Sequence, residues 1–318
     1  MTADQITYLV FFIVVSIALV FDLGFLSKKN KTISTQTALK QTIFWVILAF
    51  AFFIFVWYEE GKIIAIEYIS AYLMEWSLSI DNIFVFIIIF SAFKVDPKYY
   101  GRVLLIGILM AIVFRIIFIT IGIALVQQAQ WTLYIFGVFL IYTGYKMFAS
   151  TQESEFNPQQ SKVYKWMLKY LPITLEDGGG KFLIRNNGKP LYTSLFVVVV
   201  MLAITDLVFA LDSIPAVMGI SRNNLVIYTS NIFAVLGLRS LFFLLRGAVA
   251  KFEFLQQGIA IILVFIGLKM LLEHYLEQWI TKNQLIVVSL LMIVVCIIGS
   301  ILYSIQNTKK KESRNKTV

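Results

Sequence analysis

The sequence is short of charge, of cysteine and of histidine. Asp, Glu, Lys and Arg make up 14% of its 318 residues, against about 25% in an ordinary soluble domain. Hydrophobic residues make up 59%, more than one water-soluble core of this length can hide, so the surplus is expected to face lipid. The single cysteine, Cys296, excludes an intramolecular disulfide. Zinc, copper and nickel sites draw on His and Cys; here Cys296 and the single histidine, His274, lie far along the chain from every acidic motif. The GxGD motif of one class of membrane aspartyl protease is missing, because Ile204-Thr205 precedes Asp206 and Ala210-Leu211 precedes Asp212. Gly178-Gly179-Gly180-Lys181 lacks the full GxxxxGK[ST] spacing of a phosphate loop. No basic residue precedes the first apolar run, which argues against a cleaved signal peptide. The chain is therefore read as a non-enzyme without a cofactor.

What is present is a series of long apolar runs. About 20 apolar residues cross the roughly 30 Å hydrocarbon core of a bilayer. Nine such runs are predicted: Ile6–Leu26, Gln41–Tyr58, Tyr68–Phe93, Val103–Val126, Trp131–Phe148, Ser194–Ile220, Leu225–Leu245, Gly258–Leu272 and Gln284–Ile305. They are continuous rather than alternating, so the expected fold is an all-α polytopic membrane protein of about nine transmembrane helices. The organisation expected is a five-helix half over 1–148, a loop over 149–193, a four-helix half over 194–305 and a basic tail over 306–318. Within the loop, Lys181–Tyr192 is predicted to form a hairpin turning at Asn187-Gly188.

The net charge of +9 is read as topology rather than as nucleic-acid binding. Counting loops alternately, 21 Lys and Arg fall on one side and only Lys62, Arg222 and Lys282 on the other. The positive-inside rule places the N-terminus outside and the C-terminus, with the 149–193 loop, in the cytoplasm of a cell-membrane protein.

The chain also repeats itself. Glu75-x5-Asp81-Asn82-Ile83 answers Asp206-x5-Asp212-Ser213-Ile214. Arg115 in Phe114-Arg115-Ile116 answers Arg239 in Leu238-Arg239-Ser240, and Gly144-Tyr145-Lys146-Met147 answers Gly267-Leu268-Lys269-Met270. The two three-helix units run in opposite directions across the membrane. Inverted 3+3 repeats of this kind build transporters with a binding site at the midplane between the units.

Five carboxylates fall within the runs: Asp22, Glu75, Asp81, Asp206 and Asp212. Each charge at the bilayer centre costs about 2.5–3.5 kcal/mol, so they are expected to be paired, protonated or facing water. Arg115, Arg239 and Lys269 lie in the runs too, and full ionisation leaves two negative charges to be met by one divalent cation or two protons. Carboxylate, amide and hydroxyl oxygens suit Mg, Ca or Mn, and Asn82 and Ser213, beside Asp81 and Asp212, add such oxygens. The expected metal-site set is Glu75, Asp81, Asn82, Asp206, Asp212 and Ser213. Asp22 reads either as a surface salt-bridge or capping residue or as part of this set. Arg115 and Arg239 read as partners of the acids. Residues six apart on a helix are about 9 Å apart along its axis and roughly 120° apart around it. One straight helix therefore cannot offer Glu75 and Asp81 to the same ion. Either a helix breaks, with Pro215 the expected place, or each acid meets partners from the other unit. The expected arrangement pairs Asp81 with Asp212 across a pseudo-twofold axis.

These motifs resemble the TerC family of integral membrane proteins. The likeness rests on Glu75-Trp76-Ser77-Leu78-Ser79-Ile80-Asp81-Asn82, on Asp206-Leu207-Val208-Phe209-Ala210-Leu211-Asp212-Ser213-Ile214-Pro215-Ala216, on the stretch Ser230 to Ser240 and on Gly267-Leu268-Lys269-Met270. The family is associated with tellurium resistance and, in several members, with manganese export, and it is similar to the wider LysE group of exporters. The resemblance implies that Glu75, Asp81, Asp206 and Asp212 are the important acids. Family members often carry Glu three residues before the position of Asp206, where this chain has Ala203. The expected function is export of a divalent cation, Mn2+ first, with protons as a coupling ion. The competing expectation is a non-transporting accessory protein in metal or tellurite stress that binds partners through the loop and tail.

Overall fold

A computed structural model describes residues 3–26, 33–129, 131–149, 158–174, 178–186, 189–246, 254–276 and 278–315. The apolar runs are helices: α1 (Ala3–Leu26), α2 (Thr35–Glu59), α3 (Lys62–Ala92), α4 (Tyr100–Gln128), α5 (Thr132–Ala149), α7 (Ser194–Ile220), α8 (Asn224–Leu245), α9 (Leu255–Leu276) and α10 (Lys282–Asn315); most ends fall within four residues of those expected, but α2 and α3 begin six residues earlier and α10 continues ten residues past Ile305 into the expected tail. Eight of these are long and apolar enough to cross a membrane; in α1 the apolar stretch Gln5–Val20 is shorter. The chain is thus an all-α polytopic membrane protein. A tenth helix, α6 (Lys162–Tyr170), lies in the long loop.

Helix starts follow local chemistry. Ser34 Oγ accepts from the Thr37 amide at 3.3 Å to begin α2. Asn223 Oδ1 accepts from the Leu225 amide at 2.8 Å and starts α8 after the three-residue break 221–223. Both satisfy amide donors that no earlier turn can reach.

Almost every residue of α8 is buried, because it packs against α1, α2, α3, α4 and α7. It is the axle of the molecule. Phe11, Phe52, Tyr68 and Phe233 form an aromatic cluster that ties α1, α2 and α3 to it. By contrast, α1, α5 and α10 turn large apolar side chains outward, among them Phe12, Val20, Val138, Leu291 and Val295. Exposed apolar surface on this scale is what a lipid-facing rim requires.

The principal pairs within the bundle are α3 with α8, α4 with α7, and α5 with α9. The last pair is held by close backbone approach. A Cβ on Gly267 would lie 2.6 Å from the Gly137 carbonyl oxygen, and one on Gly144 would lie 2.7 Å from that of Ala260. The small residues let the two helices touch main chain to main chain.

α7 runs unbroken through Pro215, so the expected break at that proline does not occur. Proline costs a helix one amide-to-carbonyl bond at the preceding turn, and membrane helices absorb this because packed neighbours stabilise the turn.

The described parts of the loop after α5 pack against the bundle. The expected hairpin forms as β1 (Leu183–Asn186) paired antiparallel with β2 (Lys189–Tyr192), with Leu183 opposite Tyr192. Its turn residues, Asn187 and Gly188, lie outside the described residues. Gly178–Gly180 is a turn at positive φ packed on Tyr99, whose ring would lie 2.5 Å from a Cβ on Gly180. Arg102 Nη1 donates to the Gly180 carbonyl at 2.8 Å. The glycines here serve packing, in keeping with the incomplete phosphate-loop spacing.

Candidate functional site

Glu75, Ser79 and Asn82 lie at i, i+4 and i+7 on α3 and so share one face; Asp206, Ala210 and Ser213 repeat that spacing on α7. The two faces meet with Arg115 of α4 and Asn231 of α8 between them. Arg115 Nε donates to Asp206 Oδ2 at 3.0 Å, and Nη1 donates to Glu75 Oε2 at 2.6 Å. The same Nη1 donates to Asn231 Oδ1 at 2.8 Å and reaches Ser213 Oγ at 3.5 Å. Asn231 is oriented by its own amide, which donates to the Ile227 carbonyl at 3.0 Å. Glu75 is 0% exposed, and Arg115 and Asp206 are 1% exposed.

The ionised cluster carries two negative charges and one positive charge. Burying ions costs several kcal/mol each, which only good geometry and further hydrogen bonds offset. Arg115 supplies that to Asp206 and to one Glu75 oxygen. Among the described residues, the other oxygen, Glu75 Oε1, has no hydrogen-bond partner, and neither do the buried hydroxyls of Ser77 and Ser79. An unpaired buried acceptor costs about 1–3 kcal/mol, so α3 carries uncompensated oxygen beside the cluster. Around Asp206 the lining of Phe86, Leu104, Gly107, Ile108, Ala111 and Leu202 leaves no room for a water molecule.

The expected site residues separate. Glu75, Asp206, Ser213 and Arg115 come together, and Asn82 is buried on the same face of α3. Asp212 turns away: it is half-buried, accepts a long 3.4 Å hydrogen bond from Thr143 Oγ1 on α5, and interacts electrostatically with Lys146. Arg239 is buried in α8, and Ala203 is buried in α7. The side chains of Asp81 and Asp22 lie outside the described residues, so the pairing of Asp81 with Asp212 does too, and the side chain of His274 likewise. Among the described residues, no three His, Cys, Asp or Glu side chains converge as metal ligands. Sequence reasoning gave no role to Asn231 or Ser79, although the i+4 spacing of Ser79 from Glu75 was a usable signal.

A separate cavity of about 210 Å³ opens where α7 gives way to α8, next to α9. Glu67, Arg222, Lys269 and Glu273 line it. Ser221 Oγ donates to Glu67 Oε2 at 2.5 Å, Arg222 pairs with Glu273, and Lys269 Nζ donates to the Gly219 carbonyl at 3.2 Å. These bonds fasten the α7–α8 turn to α3 and α9.

With the geometry established, comparison with known proteins adds the following. The profile of the integral membrane protein TerC family matches residues 59–312. An uncharacterized membrane protein of Rickettsia felis is 41% identical over 90% of this chain and 95% of its own length. One from Myxococcus xanthus is 39% identical over 84% of this chain and 83% of its own. A protein of Salmonella typhi, named as a candidate membrane-bound redox modulator, Alx, is 39% identical over 83% of this chain and 85% of its own. No solved structure matches the chain.

Proposed function

The chain belongs to the integral membrane protein TerC family, and from that premise we propose that it carries a divalent metal cation, Mn2+ first, out of the cell through the acids of α3 and α7. The observation that carries this reading is the meeting of Glu75 and Asp206 from two helices on Arg115 at full burial, with Glu75 Oε1 and Ser79 Oγ without partners among the described residues. Intramembrane acids are costly and are kept for ion pathways and proton relays. The donor set is carboxylate, hydroxyl and amide oxygen, which favours a hard cation. Protons are the natural counter-ion, since the same carboxylates bind either.

The inverted repeat supports a transporter. The repeat relates Gly144 to Gly267 and Gly137 to Ala260. The two close approaches, Gly144 on Ala260 and Gly267 on Gly137, exchange under that relation, as an axis between α5 and α9 requires. The pairs α3 with α8 and α4 with α7 exchange in the same way.

The redox name of the Salmonella relative fits an indirect role. With one cysteine this chain has no dithiol of its own, and changing the supply of a redox-active metal would alter redox balance without one. The accessory reading draws on α6, whose Trp166, Leu168 and Tyr170 are exposed.

The test is flux of Mn2+ in proteoliposomes holding the purified protein. Parent vesicles move Mn2+ well above protein-free vesicles. Flux equal to that of protein-free vesicles, with the protein folded and inserted, sinks the proposal and favours the accessory reading.

A further inference from the structure

We propose that Arg115 is a tethered stand-in for the transported cation, seated in the site when the site is empty and displaced when it is filled. The inference rests on the transport reading above and deepens it. Three oxygens of different residues converge on Arg115 Nη1: Glu75 Oε2 at 2.6 Å, Asn231 Oδ1 at 2.8 Å and Ser213 Oγ at 3.5 Å. Carboxylate, amide carbonyl and hydroxyl are the oxygen types a hard divalent cation collects. The nitrogen therefore sits where a metal would, with Asp206 holding the rest of the guanidinium through Nε and Nη2. The apolar pocket beside Asp206 has no space for a water molecule.

Charge makes the two occupants exclusive. With the guanidinium in place, a divalent cation would leave the buried cluster with a net positive charge. With it withdrawn, the two carboxylates and the metal balance. Glu75 Oε1 and the Ser79 hydroxyl on the same face of α3, without partners among the described residues, are oxygens that the guanidinium leaves unmet. Arginine suits the role, since its charge is permanent and its stem is long. Asn231 is the neutral anchor that holds it in the seated position.

A stand-in cation has a kinetic purpose. An emptied carrier with two bare buried carboxylates cannot return through the membrane cheaply; one whose arginine has reseated can. Removing the guanidinium should therefore tighten cation binding and stop the empty return step. Exchange of bound for free cation needs no empty return and should survive.

The experiment uses the full chain in proteoliposomes, with Mn2+ binding, net Mn2+ flux and exchange of radioactive against unlabelled Mn2+ measured side by side. Arg115→Gln should bind Mn2+ about tenfold tighter or more, equivalent to at least about 1.4 kcal/mol of removed competition. It should lose net flux and still exchange. Arg115→Lys should recover part of the net flux. Arg115→Lys keeps a cation near the seat with fewer hydrogen bonds, so it should bind Mn2+ tighter than the parent but less tightly than Arg115→Gln, and it decides the matter if Arg115→Gln does not fold. A purely structural Arg115 predicts affinity no tighter than the parent, with net flux and exchange falling together; that result overturns the stand-in and leaves transport intact. A parent protein that neither binds nor moves Mn2+ overturns the transport reading, and the stand-in falls with it.

Discussion

Neutralising an acid inside a bilayer lowers the cost of inserting its helix, so loss of transport can be told apart from loss of protein. Asp212 makes one long hydrogen bond and lies half-buried, and its change to Asn strands no cation in the cluster. Asp212→Asn is expected to keep or raise membrane abundance while Mn2+ flux falls at least about tenfold; undiminished flux removes Asp212 from the site. Asp206→Asn should differ, because it leaves the buried Arg115 without one of its two acids. Breaking a buried pair costs about 3–5 kcal/mol, so a markedly lower Tm is expected with that variant alone. The acids were legible in the sequence because a charge in an apolar run stands out. Ser79 and Asn231 were not. Small polar side chains on helices usually bond back one turn, as Ser70, Thr229 and Ser230 do here. Only the packing shows that Asn231 also faces Arg115 and that Ser79 makes no such bond.

At the scale of the helices, the seam between α5 and α9 is the most demanding contact. Gly267→Val places its Cβ within 2.6 Å of a backbone oxygen that cannot move aside cheaply, and overpacking of this kind costs about 1–3 kcal/mol. Thermal unfolding in detergent should show a clearly lower Tm. On α10, a Cβ added at Gly299 would meet nothing within 4 Å; Gly299→Ala should leave Tm unchanged or raise it slightly by helix propensity. Equal Tm values for the two variants would mean that the seam is loose. Helix ends were legible because long apolar runs leave little choice inside lipid. The proline was misleading: its local cost is definite, but the packing of α7 against α3 and α4 outweighs it, and no sequence pattern reports that balance. Glu75 of α3 and Asp206 of α7 are instead joined through Arg115 of α4.

For the molecule as a whole, orientation is the first thing to establish. In a Cys296→Ser background, single cysteines at Lys62 and Lys165, both exposed, should report opposite sides. An impermeant maleimide applied to intact cells should label Lys62→Cys and spare Lys165→Cys until the cells are opened; the reverse pattern inverts the topology. The repeat remains a proposal resting on four landmarks in order, and the axle position of α8 was not legible, since a buried and a lipid-facing apolar helix look alike in composition. In the orientation expected from the loop charges, the bonds from Ser221 to Glu67 and from Arg222 to Glu273 tie down the α7–α8 turn on the side that faces away from the cytoplasm. A cell interior held about 100 mV negative pulls a divalent cation inward by about 4.6 kcal/mol. An exporter whose distal mouth stood open at rest would give that force a path and run backwards as a leak. Under the proposed export function, the ties from Ser221 to Glu67 and from Arg222 to Glu273 stand against that backward path without any input of energy.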